Sequence, residues 1–203
     1  MATFREDSKA PLFLITQHRE TIYQVSKTTG VSAQAIATVI FNEKFHGIWA
    51  TLKNELAYIV DFGVNDESPA TRSYGLAEMQ LRLAAQLLNM DIEQPGTKKK
   101  VYDLLQNNGI SILLIAKNIL RNENIIGQKL DPVLAGYAHN NGPERVKRYL
   151  EGKSVLIRDI ASRSEIFQLA IRKALEGEID TRTDKEIAKE LQICIPDLSP
   201  PQK

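Results

Sequence analysis

The chain has 203 residues, 43% hydrophobic and 25% charged, which is enough to bury a substantial core in one globular domain. Its 26 basic and 25 acidic side chains nearly cancel, so the formal charge of +1 gives no global field that would hold nucleic acid. One cysteine excludes an intramolecular disulfide, and the three histidines form no Cys/His cluster at zinc-ligand spacing. We therefore expect neither a metal nor another cofactor.

The beginning of the sequence was searched for the pattern of a signal peptide. A short apolar patch over residues 12–15 has charges on both sides and no small-residue cleavage site after it, so no signal peptide is predicted. No stretch reaches the roughly 18 apolar residues that span a bilayer, and membrane insertion is not expected. We expect a chain that is made in the cytoplasm.

Helical periodicity runs through most of the chain, and no alternating pattern longer than a few residues indicates a strand. This predicts an all-α fold. A first helix is predicted over residues 16–28, and a second, central helix begins at Ser32 and carries Ile36, Val39 and Ile40 on one apolar face.

The rest of the chain is predicted to alternate between turns and helices. Residues 44–70 predict a long surface loop with a short helical piece near residues 52–59, and apolar residues at helical spacing from Leu76 to Met90 predict a third helix. An aspartate followed by proline predicts a helix start at Asp131. The remaining predicted helices cover residues 98–106, 111–122 and two stretches of 154–191 divided near Gly177.

Glu43 follows the apolar residues of the second helix by three, four and seven positions, so its carboxyl emerges on the apolar face if the helix continues to it. Burial there disfavours the carboxylate and raises the pKa, which suits an acid that donates a proton near neutral pH. Taken alone, however, the pattern is more typical of a solvated glutamate paired with Lys44 or Lys53.

Three segments occur in a familiar order: TGVSAQAIATVIFNEKF at 29–45, SYGLAEMQ at 73–80 and AGYAHNNGPERVKRYL at 135–150. Together they resemble the three motifs of the lytic transglycosylase and goose-type lysozyme superfamily over roughly residues 20–150. The resemblance implies a lysozyme-like helical domain that cleaves the β-1,4 bond between N-acetylmuramic acid and N-acetylglucosamine in peptidoglycan glycan strands. It implies that Glu43 is the catalytic acid.

The chain departs from the family at one position of each motif. Lys44 stands where members commonly have serine after the acid, Glu78 stands at a glutamine position, and His139 stands at a tyrosine position. The family's tyrosine hydroxyl lies close to the acid, so either His139 or Tyr137 takes that role here.

The resemblance also implies a set of substrate-binding residues, which are Ser73, Gly75, Tyr137, His139 and Asn140. Each motif has a plainer explanation when it is taken alone. Glu78 fits an early-turn residue of the predicted third helix, where the helix dipole favours a carboxylate. The segment AHNNGP fits a helix stop followed by a helix that starts with proline.

Two routes would complete the cleavage that Glu43 begins. If the 6-hydroxyl of the muramic acid attacks, Glu43 recovers the proton and an anhydro product forms without a second carboxylate. If water attacks, a second carboxylate must activate it, at about 6.5 to 9.5 Å from the acid in the inverting geometry. The acidic residues in the loop between the first two motif segments slightly favour hydrolysis, although such residues more commonly form a solvated turn. The candidate residues are Asp61, Asp66, Glu67 and Glu78.

On this interpretation the chain divides into an arm (1–15), the catalytic domain (16–152), helices that complete the same domain (153–195) and a tail (196–203). Two other classes of protein fit parts of the sequence. Residues 25–40 resemble a helix-turn-helix, although residues 31–42 lack the lysine and arginine that would anchor DNA phosphates. The substitutions in the motifs also fit an inactive lysozyme-like domain that binds glycan or protein.

A cell-wall enzyme without a signal peptide needs another route out of the cell. We expect either phage lysis or a contact-dependent secretion machine that injects the chain as an antibacterial effector into the periplasm of a competitor. The second route implies an immunity protein that plugs the cleft.

Overall fold

A computed structural model describes residues 9–45, 64–156, 164–165 and 167–178. These residues contain eight helices and one two-stranded antiparallel hairpin, which confirms the predicted all-α class. In chain order the elements are α1 (Lys9–Thr29), α2 (Ala33–Lys44), β1 (Ser73–Tyr74), β2 (Met79–Gln80), α3 (Leu81–Leu87), α4 (Thr97–Leu105), α5 (Asn108–Ile126), α6 (Pro132–Asn141), α7 (Pro143–Leu150) and α8 (Gln168–Leu175).

Helix α2 is the centre of the fold. It begins at Ser32, whose Oγ accepts a hydrogen bond from the backbone N–H of Ala35 at 3.4 Å. Every residue from 35 to 43 is buried, because α1, α6 and α8 all pack against this helix. An α-helix that is covered on all sides has no solvated face, so the polar residues near its end are also carried into the interior.

The contact between α2 and α6 depends on a residue without a side chain. A Cβ atom at Gly136 would lie 2.5 Å from Asn42 Nδ2 and 3.1 Å from Thr38 Cγ2. The amide of Asn42 is held by two hydrogen bonds with Ser164: its Nδ2 donates to Oγ at 2.9 Å, and its Oδ1 accepts from Oγ at 3.2 Å. Gly136 therefore sets how closely the two helices approach.

Helix α1 begins at Lys9, seven residues before the predicted start at residue 16. Leu12 and Ile15 of the apolar patch at residues 12–15 are buried on the core face of this helix, whereas Phe13 is exposed. The arm predicted for residues 1–15 is thus helical from residue 9 onward.

The helix predicted from Leu76 to Met90 is wrong in its first part. Ser73 pairs with Gln80 and Tyr74 with Met79 in an antiparallel hairpin, and the helix α3 begins only at Leu81. Apolar residues of the intervening turn and of β2 are buried, which produces the same spacing as a helix face. Glu78 consequently lies in a turn and not in the first turn of a helix.

The other described helices lie close to their predicted positions, except α8. A helix was predicted from Ser154 to about Gly177, but residues 154–156 are not helical, residues 157–163 lie outside the described residues, and α8 covers only Gln168–Leu175. Asp131 caps α6 by accepting from the N–H of Leu134, and Pro132 occupies the first turn, as predicted. Helix α5 extends a few residues beyond the predicted 111–122 at both ends. The predicted helical piece at 52–59 and residues 179–191 of the last predicted helix lie outside the described residues. None of the described helices is long and apolar enough to cross a membrane.

Replacement of Gly136 by alanine is expected to destabilise the protein by about 1 to 2 kcal/mol, although alanine favours helix formation. The added Cβ would displace the Asn42 amide from Ser164 or push α6 away from α2. Urea unfolding of the wild type and the variant measures the difference.

Gly109→Ala is the matched control, because this glycine is also helical but its added Cβ would meet only side-chain ends at longer distances, Asn107 Oδ1 at 3.3 Å and Thr21 Cγ2 at 4.0 Å. We expect it to stay within about 1 kcal/mol of the wild type. Equal stabilities of the two variants would contradict the role assigned to Gly136.

Candidate active site

The carboxyl group of Glu43 lies at the buried end of α2, with 10% of the side chain exposed. Burial, and after it the negative charge of Glu78, raise the pKa of Glu43 to about 8, and the positive charge of Lys44 only partly opposes this rise. Glu43 is therefore protonated near neutral pH, although its side chain is not completely buried. This agrees with the position that the helical spacing predicted.

The second motif forms the loop of the hairpin, residues 75–78, which we call the 75–78 turn. Gly75 has a φ of 75°, and its carbonyl oxygen accepts from the N–H of Glu78 at 3.2 Å. A Cβ at Gly75 would lie 2.3 Å from the carbonyl oxygen of Leu105, so the turn rests directly on α4. Glu78 has a φ of 40°, a left-handed conformation that residues other than glycine seldom adopt. The positive φ angles and the close packing on α4 together define the conformation of this turn.

Lys44 binds the 75–78 turn at two points. Its Nζ donates to the carbonyl oxygen of Gly75 at 3.1 Å and to Oε1 of Glu78 at 3.1 Å. The side chains of Lys44 and Glu78 are 25% and 18% exposed, so this is a largely buried ion pair. Two of the three departures from the family motifs thus contact each other beside Glu43.

The third departure, His139, lies on the other side of Glu43. Its Nε2 is 3.9 Å from Oε1 of Glu43 and 3.1 Å from the carbonyl oxygen of Ala77, while its Nδ1 is 3.0 Å from Nδ2 of Asn118. These contacts assign a proton to Nε2, which donates to the carbonyl, and leave Nδ1 to accept from the amide. The imidazole is therefore fixed as one neutral tautomer.

Burial lowers the pKa of His139 to about 4, and the backbone hydrogen bond to Ala77 only partly opposes this. Between about pH 4 and pH 8 both His139 and Glu43 are uncharged. Their 3.9 Å approach is then a contact between two neutral groups and not an ion pair.

The remaining residues that the sequence assigned to the site differ in how deeply they are buried. Tyr137 is 1% exposed and packs in the core, whereas Asn140 and Ser73 are exposed. His139, one of the two candidates for the role of the family's tyrosine, has its Nε2 3.9 Å from Oε1 of Glu43.

Asp66, expected as a possible second carboxylate, is bound at the beginning of α4. Its carboxylate accepts from the N–H of Gly96 at 2.9 and 3.1 Å, and its carbonyl oxygen accepts from Lys98 Nζ. This is a helix-capping role. Glu67 is exposed, and Asp61 lies outside the described residues.

Sequence reasoning did not find Asn118, which orients His139 from helix α5. The residue is 2% exposed, and its preceding neighbours along the same face, Leu114 and Ile115, belong to the core. An asparagine within an apolar stripe was the available signal, because a buried amide is retained where it has a hydrogen-bond partner.

Residues 25–40, whose sequence resembles a helix-turn-helix, form the end of α1, the junction and most of α2. A recognition helix must present side chains to a DNA groove, but residues 35–43 of α2 are buried. Among the described residues there is also no group of His, Cys, Asp and Glu that would hold a metal ion.

The described residues define an all-α protein with a buried carboxyl, a neutral histidine and a lysine–glutamate pair in one cluster. Comparisons with protein-family models, with curated proteins and with solved structures found no match. The function must therefore be argued from the geometry of the cluster and the motif resemblance.

The raised pKa of Glu43 predicts a pH-dependent stability. The folded state holds the proton more tightly than an unfolded chain with the ordinary value of 4.5, so the stabilisation is complete below pH 4.5 and is lost as the pH rises through about 8. Glu43→Gln removes this loss. As the pH rises over that interval, the free energy of unfolding of the variant should increase relative to that of the wild type. Above pH 8 we expect this difference, measured by urea unfolding, to be on the order of a few kcal/mol.

His139→Gln is the complementary variant, because the lowered pKa of His139 acts in the opposite direction. The folded state disfavours the charged imidazole, so the stabilisation is present above the ordinary value of 6.5 and is lost as the pH falls through about 4. The His139 variant should flatten only the acidic side of the stability profile. A profile that neither substitution changes would contradict the assigned protonation states.

Proposed function

We propose that this protein cleaves peptidoglycan glycan strands and that Glu43 donates the proton to the glycosidic oxygen. The observation that carries the proposal is the state of this carboxyl, which is protonated near neutral pH yet keeps 10% of its side chain exposed. A general acid needs both properties, since it must hold a proton at working pH and reach a substrate.

The convergence of the three motif segments supports the proposal. The segment that ends in Glu43, the 75–78 turn and the end of α6 are far apart in sequence, but Lys44 binds the turn and His139 approaches Glu43. This is the arrangement that the resemblance to lytic transglycosylases and goose-type lysozymes implies. A lysozyme-like fold is accordingly part of the proposal.

The chemistry follows from the two states of one carboxyl group. Protonated Glu43 gives its proton to the leaving oxygen as the glycosidic bond breaks and an oxocarbenium-like carbon forms. The resulting carboxylate is a base of matched strength, and it accepts a proton from the nucleophile. With the muramic acid's own 6-hydroxyl as nucleophile, an anhydro ring closes and Glu43 is restored.

The described residues supply this intramolecular route more completely than hydrolysis. Asp66 caps α4, and the carboxylate of Glu78 is bound by Lys44, so neither is an unengaged base for water. We therefore place the anhydro-forming reaction first, although the acidic loop in the sequence favoured hydrolysis. Hydrolysis would require Glu78 to act from within its ion pair, or Asp61.

Glu43→Gln should reduce glycan cleavage by about 100-fold or more, since glutamine keeps the shape of the side chain but has no proton to donate. The release of muropeptides from purified sacculi measures the rate. Wild-type activity should fall as the pH rises through about 8, because deprotonated Glu43 no longer acts as an acid. Glu93→Gln is the control, because this exposed glutamate lies outside the cluster and pairs with Arg82.

The masses of the muropeptides distinguish the two routes. The intramolecular reaction gives muramic acid ends that are lighter by one water than the reducing ends from hydrolysis. Anhydro ends are the expected result. Sacculi that bind both the wild type and Glu43→Gln but stay intact with both would instead identify a glycan-binding domain without catalysis.

A further inference from the structure

Both neighbours of Glu43 are attached to one short segment of backbone. Lys44 reaches the 75–78 turn through the carbonyl of Gly75 and the carboxylate of Glu78, and His139 reaches it through the carbonyl of Ala77. The turn thus connects α2 with α6 around the carboxyl that the proposed function requires.

We propose that Lys44 and Glu78, which are joined at the 75–78 turn, act as a matched charge pair that keeps the net charge beside Glu43 close to zero. The inference takes its catalytic meaning from the proposed function, but the pairing can be tested on the free protein.

The geometry of the pair is a closed ring of polar contacts. Lys44 Nζ donates to the Gly75 carbonyl and to Glu78 Oε1, and the same carbonyl accepts the N–H of Glu78. The ammonium therefore closes the turn and neutralises the side chain that the turn presents. Removing one partner of such a largely buried pair leaves the other charge uncompensated.

Two opposite charges act on Glu43 from within this ring. The Glu78 carboxylate disfavours ionisation of Glu43, whereas the Lys44 ammonium favours it. From α6 the facing titratable group is His139, which is neutral above about pH 4. Among the described charged residues, those that act on Glu43 are Glu78 and Lys44.

The two family-like residues at these positions, serine and glutamine, carry no charge. The charges of Lys44 and Glu78 also sum to zero, so either pair of residues leaves no net charge beside Glu43. Mixed combinations leave a net charge, because each places one uncompensated charge beside the acid. This explains why two unusual residues occur together in one site.

The test is a carboxyl ¹³C NMR titration of Glu43 in the variants Lys44→Met, Glu78→Gln and the double variant, with the signal assigned by its loss in Glu43→Gln. Lys44→Met should raise the titration midpoint by about one pH unit, and Glu78→Gln should lower it by about one. The double variant should return to within about half a unit of the wild type.

The control is the exposed ion pair between Lys99 and Asp103 on α4, whose side chains are 64% and 56% exposed. Lys99→Met and Asp103→Asn make the same charge changes and should leave the Glu43 midpoint in place. Lys44→Arg keeps the charge and should preserve the wild-type midpoint, which a purely steric role of lysine would not require. If Lys44→Met does not fold, Glu78→Gln and Lys44→Arg decide.

The inference is overturned if the Lys44 and Glu78 variants move the midpoint no further than the controls, or in the same direction. It is separable from the proposed function. A midpoint that follows the charges in a protein that cleaves no glycan supports the pair and refutes the enzyme. Glu43-dependent cleavage with an unmoved midpoint refutes the pair and supports the enzyme.

Discussion

The burial of residues 35–43 of α2 is the constraint on which the rest of the structure depends. Since residues 35–43 have no solvated face, the helix cannot end in an ordinary hydrated carboxylate at Glu43. The surrounding elements place polar groups beside that carboxyl. The neutral His139 from α6 and the ion pair between Lys44 of α2 and Glu78 of the 75–78 turn give it polar neighbours without a net charge. The chemistry of the proposed function is a consequence of where the helix is buried.

Much of this arrangement was accessible from sequence because it depends on local periodicity. The apolar residues before Glu43 predicted both its helix and its burial, and Asp131 with Pro132 marked the start of α6. Such signals arise from contacts within a few residues along the chain, where helical geometry relates position in sequence to position in space.

The parts that the sequence did not reveal depend on the approach of distant segments. The hairpin of residues 73–80 was taken for helix because the buried residues of a tight turn and a short strand happened to follow helical spacing. Nothing local indicates that Lys44 reaches Glu78, 34 positions away, or that Asn118 orients His139 from α5. Local patterns do not predict contacts between segments that are far apart in sequence. They also do not predict the different positions of His139 and Tyr137.

The ion pair beside Glu43 also constrains how the sequence can change over evolution. A change at either position alone would leave a largely buried charge without its partner. Relatives of this protein should therefore carry lysine and glutamate at these two positions together, or neither. An aligned set of relatives should show covariation between positions 44 and 78, and the rare single substitutions should be accompanied by a compensating charge nearby.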